Sequence, residues 1–313
     1  MIILKIIIWL ILFFILLNCL YKITNHYKNK IKNIEKFKKG ISSDLEIISI
    51  GSSYAKYAYD FTSCGKKGEN LGIQPESLNY DFKILKKYAK NLKENAIVLI
   101  NIPALVFSFV NYPGDNSNTK YYYFLDKKEI NNYNIFKYIT RVIFPLLGNP
   151  KLIKYIFKDV KEDNSFNIEK NLYNEEQLEK LADIREKDWL NEAKSDSLKS
   201  DKVAEMTQDN FKKTTKILEE MLDFCIKNNF RPVIVIPPIS DILYNRFSSI
   251  FLKKYMYNNI EIANKQKVPV LDYLNDKEFT SKELYQQIDF LNSVGRKKFT
   301  NRVISDLKKI NYW

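Results

Sequence analysis

Apolar residues fall into distinct regimes along the chain. Residues 2–20, IILKIIIWLILFFILLNCL, are apolar except for Lys5, Asn18 and Cys19, the length of one membrane-spanning helix of about 20 residues. From Leu45 onward, short β-branched runs bounded by turn residues predict strands at Leu45–Ile50 (carried by Leu45, Ile47, Ile48 and Ile50), Ala96–Ile102, Arg231–Ile236 and Val268–Leu271. Between them, apolar residues recur at helical spacing. Leu78, Phe82, Leu85, Tyr88 and Leu92 predict a helix over Glu76–Lys93, and Ile217, Leu218, Met221, Leu222 and Ile226 one over Phe211–Asn229. Further helices are expected at Asp241–Lys265 and Ser293–Ile310. Strands and helices alternating at this length imply an α/β domain, a parallel sheet flanked by helices in three α/β/α layers, flavodoxin-like in kind.

The rhythm fails in two places. Cys64–Gln74, CGKKGENLGIQ, carries three glycines and reads as a loop without a regular element. The stretch from about 104 to 206 reads as a helical insertion. It opens aromatic and turn-rich, with Pro113-Gly114-Asp115-Asn116 as a turn, and passes through short apolar helices around Phe136, Tyr138, Ile139, Val142 and Ile143. From Lys158 to Asp201 it is highly charged. An exposed helical excursion over the carboxyl edge of the sheet is expected there, as a substrate-covering lid or a solvated insertion without a role. The expected organisation is an anchor at 1–21, a basic juxtamembrane linker at 22–43, and an α/β domain at 44–313.

Lysine and arginine outnumber aspartate and glutamate by 13. The excess is nearly all lysine, spread along the chain without an arginine–aromatic cluster, which argues for a solvated surface and against a nucleic-acid partner. The bilayer is the expected partner of the anchor, which lacks a small-residue cleavage site and so reads as retained. Lys22, Lys28, Lys30, Lys32, Lys36, Lys38 and Lys39 follow it. That flank favours a cytoplasmic carboxyl side, although long domains translocate largely regardless of such charge. Among three cysteines, Cys19 lies in the apolar segment, while Cys64 and Cys225 lack metal-ligand spacing and are open to one disulfide or two free thiols. No metal or cofactor site is expected. The single histidine is His26.

Candidate chemistry concentrates at Gly51-Ser52-Ser53, where the first strand ends. Ligands of open α/β sheets bind at that end of the strands, and an acyl-transfer nucleophile would sit there. The alternative is that the serines simply cap the next helix. Asn101, polar at the end of an apolar strand, reads as a satisfied edge group or as a donor.

The GSS corner after the first strand and the late block DFLNSVGRKKFT, Asp289–Thr300, resemble the SGNH (GDSL-type) hydrolase superfamily. More closely they are similar to its membrane-anchored envelope branch, which includes the D-alanyl-lipoteichoic-acid transfer protein and polysaccharide O-acetyl-transfer proteins. NLGIQPESLNYDFKILKKY, Asn70–Tyr88, also looks like the block after the corner in SGNH-like proteins. The resemblance implies Ser53 as nucleophile, with Gly51 and Ser52 shaping the corner and Asn70, or else Asn101, as side-chain donor to an oxyanion. It further implies an extracytoplasmic domain acting as esterase or acyltransferase on a surface polysaccharide or teichoic-acid-like polymer, with a membrane-bound O-acyltransferase as a partner. The chain departs from the pattern in the late block. Aligning Leu291-Asn292 places Phe290 where the base histidine belongs and Gln287 where its orienting acid belongs. Asp289 and Asp272 remain as carboxylates for a base or a polar contact, and an impaired catalyst or a non-catalytic binding protein is expected.

Overall fold

The computed structural model describes residues 1–111 and 117–313, so the expected Pro113–Asn116 turn lies outside the described residues. The chain divides into two units, Met1–Gly40 with Gly114–Asn164, and Ile41–Pro113 with Ser165–Trp313.

The first unit contains helix α1, Ile2–Ile23, long and apolar enough to cross a membrane. The stretch expected as a linker is helical instead. Asn25–Ile31 and Glu35–Lys39 form short helices that bury Tyr27, Ile31 and Phe37. The reason is an apolar residue every three or four positions among the lysines. Phe37 stacks on Phe124, with ring centroids 4.4 Å apart. His26 is engaged here too, its Nδ1 2.9 Å from the Tyr21 hydroxyl and its ring 3.7 Å from that of Tyr155.

The second unit is built on a five-stranded, all-parallel sheet with helices on both sides and strand order β2-β1-β3-β4-β5. The strands are β1 Leu45–Ile50, β2 Gly68–Asn70, β3 Leu92–Asn101, β4 Arg231–Ile236 and β5 Val270–Asp272. Alternate side chains on one face, among them Ile47, Leu99, Val233 and Val235, pack with Phe299, Val303 and Leu307. Those three belong to the last long helix, Ser293–Lys309. Their neighbours Ile48, Ile50, Val98, Ile100, Ile234 and Ile236 are fully buried on the other face. Each such side chain contributes about 1.5–3 kcal/mol when removed from water.

The glycine-rich loop holds a strand after all. Gly68–Asn70 pairs with Ile47–Ser49 of β1, and a Cβ at Gly68 would lie 2.8 Å from Ile47 and 2.9 Å from Phe61. Glycine thus admits the edge strand against the core rather than interrupting it. The expected helix at 76–93 is shorter, Leu78–Tyr88 (α2), because Leu92 already begins β3. The expected insertion at 104–206 is split between the units. Its later part supplies α3, Glu175–Ala193, and leads into α4, Glu205–Lys227. The helix Ser293–Lys309 is α5.

Candidate functional site

From β1 the chain goes outward to β2 and then returns to the other side of β1 as β3. The direction of winding therefore reverses between β1 and β3, and open α/β sheets bind ligands outside the carboxyl ends at such a point. Gly51 makes the corner. Its φ is +142°, and an added Cβ would meet Ala55 and Asn101 at 3.0 Å, so a side chain is excluded on both counts. Ser53 then opens a single helical turn, Ser53–Lys56, with Ser52 preceding it.

A cavity of about 120 Å³ lies over this edge, and every loop leaving a strand contributes to its wall. Ser52, Ser53 and Tyr54 come from the β1 corner, Glu76 from the loop after β2, Pro103 to Val106 from the loop after β3, Pro237 after β4, and Leu274 after β5. Asp289 and Phe290 come from the late block. The charged excursion supplies α3, which presents Arg185, Trp189 and Glu192 at i, i+4 and i+7 to the same cavity. Arg246 binds this helix through Glu179, Asp183 and Glu186 at 2.6–3.1 Å, and Lys282 holds Glu175 at 2.8 Å.

Ser52 does not cap the helix turn with its side chain. Among the described residues neither Ser52 nor Ser53 makes a side-chain hydrogen bond, and both are half-buried. Ser52 thus stands at the N-cap position without capping through its hydroxyl, and both serines stand in the cavity wall. The first amides of a helix turn have no intrahelical acceptor, so the Ser53 N–H is a donor beside its own hydroxyl.

The two asparagines proposed as oxyanion donors are occupied. Asn70 Nδ2 donates to the carbonyls of Ala55 (2.9 Å) and Lys56 (3.1 Å), and its Oδ1 accepts from Gly72 N–H at 2.9 Å. Asn101 Nδ2 donates to the Ile50 and Leu99 carbonyls at 3.0 and 3.2 Å, while its Oδ1 accepts from the Tyr59 hydroxyl at 2.8 Å. Both side chains fix the corner and neither lines the cavity. Asn101→Leu, which leaves the buried Tyr59 hydroxyl without its acceptor, is expected to cost about 2 kcal/mol. A urea midpoint unchanged from the unsubstituted chain would contradict that role.

The carboxylate candidates separate. Asp272 is exposed, accepts from the Tyr257 hydroxyl at 2.8 Å and from Leu274 N–H at 3.0 Å, and lies outside the cavity wall. Asp289 lines the cavity at 2 % exposure, with Arg185 Nη2 2.6 Å from its Oδ2. Burial raises the Asp289 carboxyl above its usual range, against the opposing charge of Arg185. Desolvation and the Asp289 charge together push the Tyr54 phenol well above its ordinary value.

Phe290 lines the cavity, stacked on Tyr57 at 5.1 Å and edge-on to Tyr54 at 5.4 Å, with the Arg185 guanidinium 5.8 Å from its ring centroid. Gln287 is exposed, its side chain directed to the Tyr173 hydroxyl at 3.4 Å. Leu291-Asn292 serves the fold: Leu291 is buried, and Asn292 Oδ1 caps α5 by accepting from Gly295 N–H at 2.8 Å. All three cysteines are free, so the disulfide alternative falls away.

Sequence reasoning missed Glu76, Arg185, Trp189 and Glu192. The only available signal for the last three was their common helical face. No protein-family model matches the chain, and no match is found among curated proteins.

Proposed function

We propose that this is a membrane-anchored protein of the cell envelope in the SGNH-hydrolase lineage, with its α/β domain on the extracytoplasmic side. Its Ser53 cleft receives a small acyl ester carried by a surface glycan or teichoic-acid-like polymer and turns it over slowly for want of a base. What supports this reading is the juxtaposition at the carboxyl edge. A serine hydroxyl without a hydrogen-bond partner among the described residues shares one cavity with Phe290, and no imidazole lines that cavity. An apolar cavity of about 150 Å³ holds benzene, so a volume of about 120 Å³ admits an acetyl-sized group.

In such a site the Ser53 hydroxyl would attack the ester carbonyl and give its proton to water while its own N–H helps hold the oxyanion; collapse would break the ester C–O bond, release the polymer's hydroxyl and leave an acyl-serine that water hydrolyses. Phenylalanine accepts no proton, and Asp289 is paired with Arg185. Oxyanion donors and binding alone leave about 10³–10⁴-fold acceleration over water when triad members are removed.

A second reading, favoured by the apolar side chain at 290, is a non-catalytic protein that binds the polymer or a membrane-bound O-acyltransferase through the same cleft. The two readings part in one experiment on the full chain in detergent. Slow labelling by a serine-reactive fluorophosphonate, abolished by Ser53→Ala, is expected from the first. Absence of labelling together with retention of an acetylated glycan would sink the first and leave the second.

A further inference from the structure

We propose that residues 135–157 form a second membrane-contacting element, seated in the same leaflet as the carboxyl half of α1 with their exposed apolar side chains among the acyl chains. This placement rests on α1 spanning the membrane. At 1.5 Å per residue, α1 is about 33 Å long, enough for the hydrocarbon core. Tyr21 and Lys22, near its end, are residue types that mark the membrane–water interface. Asn18 and Phe14 then lie about 5 and 10 Å deeper, one and two turns back along the helix.

At those depths the chain touches its own span. The Phe14 and Phe144 rings are 5.8 Å apart. Asn18 is only 2 % exposed, its Nδ2 donating to the Phe14 carbonyl at 2.9 Å and its Oδ1 accepting the Leu146 N–H at 3.1 Å. An amide within a span must be satisfied by protein, because hydrocarbon offers no partner. Here half of that requirement is met by a backbone N–H from 128 residues away. The Leu146 backbone therefore sits at the depth of Asn18, inside the leaflet.

The segment is suited to that place. Ile135–Tyr138, Ile139–Ile143, Pro145–Gly148, Pro150–Ile153 and Lys154–Phe157 follow one another as helical turns, so most backbone groups bond locally. Thr140 donates its hydroxyl proton to the Phe136 carbonyl at 2.7 Å, hiding another polar group. Meanwhile Ile135, Phe136, Leu147, Ile153 and Phe157 are 40–83 % exposed. A water-facing surface rarely gathers such a patch. Burial about 5–10 Å into the boundary between headgroups and acyl chains is the depth at which amphipathic interfacial elements lie. Arg141, Lys151 and Lys154 are exposed cations of the same segment, with Lys158 directly after it, and they fit anionic headgroups. The occupant of this face is thus the bilayer.

The full chain, reconstituted sparsely into phosphatidylcholine vesicles with phosphatidylglycerol and a lipid bearing an acyl-chain diazirine, provides the test. After irradiation, adducts are expected on peptides from 135–157 as well as from 2–23, and none on α4. Substituting Phe136→Ser, Leu147→Ser and Phe157→Ser together should lower the 135–157 adducts several-fold while those on 2–23 persist. Adducts on 2–23 with none on 135–157 would overturn the placement. Adducts absent from 2–23 as well would remove the span itself, a separate failure.

Discussion

Replacing Phe290 by histidine should raise Ser53-dependent hydrolysis of a nitrophenyl acetate ester by about 10²-fold, the lower end of what a positioned general base supplies. Phe290 stands in the wall that holds Ser53, so an imidazole there enters the same cavity. The Arg185 guanidinium, 5.8 Å from the ring it would replace, disfavours a second positive charge. It should hold the imidazole pKa below its ordinary value of about 6.5, so that the ring is neutral near pH 7 and able to take the serine proton. The rate should therefore climb as pH rises through that lowered value and level off above it. Imidazole alone cleaves activated esters, so the gain must vanish in Phe290→His combined with Ser53→Ala. Adding Gln287→Asp should bring nothing further, because Gln287 is exposed and directed to Tyr173. A flat response to Phe290→His, with the variant folded, would mean that the cavity does not present an ester carbonyl to Ser53.

The parts of this site that the sequence made legible are those with a strong local cause. A buried parallel strand is a continuous apolar run, so Leu45–Ile50 and Arg231–Ile236 match their expected limits. The glycine after such a run marks the corner, and with it Ser52 and Ser53. Where the cause is tertiary, the pattern is silent. Gly68-Glu69-Asn70 has no apolar side chain and is a strand only because β1 offers its edge. The helix expected across 241–265 is broken at Asn245–Ser248, where Arg246 turns toward three carboxylates of α3. Arg185, Trp189 and Glu192 share a helical face, yet that face resembles the rest of a charged stretch until Asp289 is known to lie opposite. Asn70 illustrates the reverse error, whereas Asn101 is the satisfied group that its place at the end of an apolar strand also allowed. An amide near a corner fits an oxyanion donor by position, and only the carbonyls it already serves show that it holds backbone together.

The Arg185–Asp289 pair should respond unequally to loss of its two members. Arg185→Leu leaves a carboxylate at 2 % exposure without its counter-charge, a change that typically costs about 3–5 kcal/mol. Because the arginine side chain is itself 32 % exposed, solvent screening places the expected loss near the lower end, about 3 kcal/mol. Asp289→Asn removes the charge that burial penalises and keeps a polar group of the same shape beside a partly solvated arginine, so its cost should stay within about 1 kcal/mol. The pH dependence follows from the direction of the Asp289 shift. A carboxyl whose folded pKa is raised binds its proton more tightly folded than unfolded. Its contribution to stability is therefore greatest below its unfolded value near 3.8 and declines as pH rises through the folded value. Removing Arg185 lifts that folded value further and widens the window of decline. The deficit of Arg185→Leu against the unsubstituted chain should accordingly be full at neutral pH and shrink as pH falls toward about 4, where Asp289 is protonated. Urea midpoints of the two variants across that range decide the matter. Equal losses from Arg185→Leu and Asp289→Asn, or a deficit independent of pH, would show that the carboxylate is hydrated in solution and that the pair does not hold α3 against the cavity.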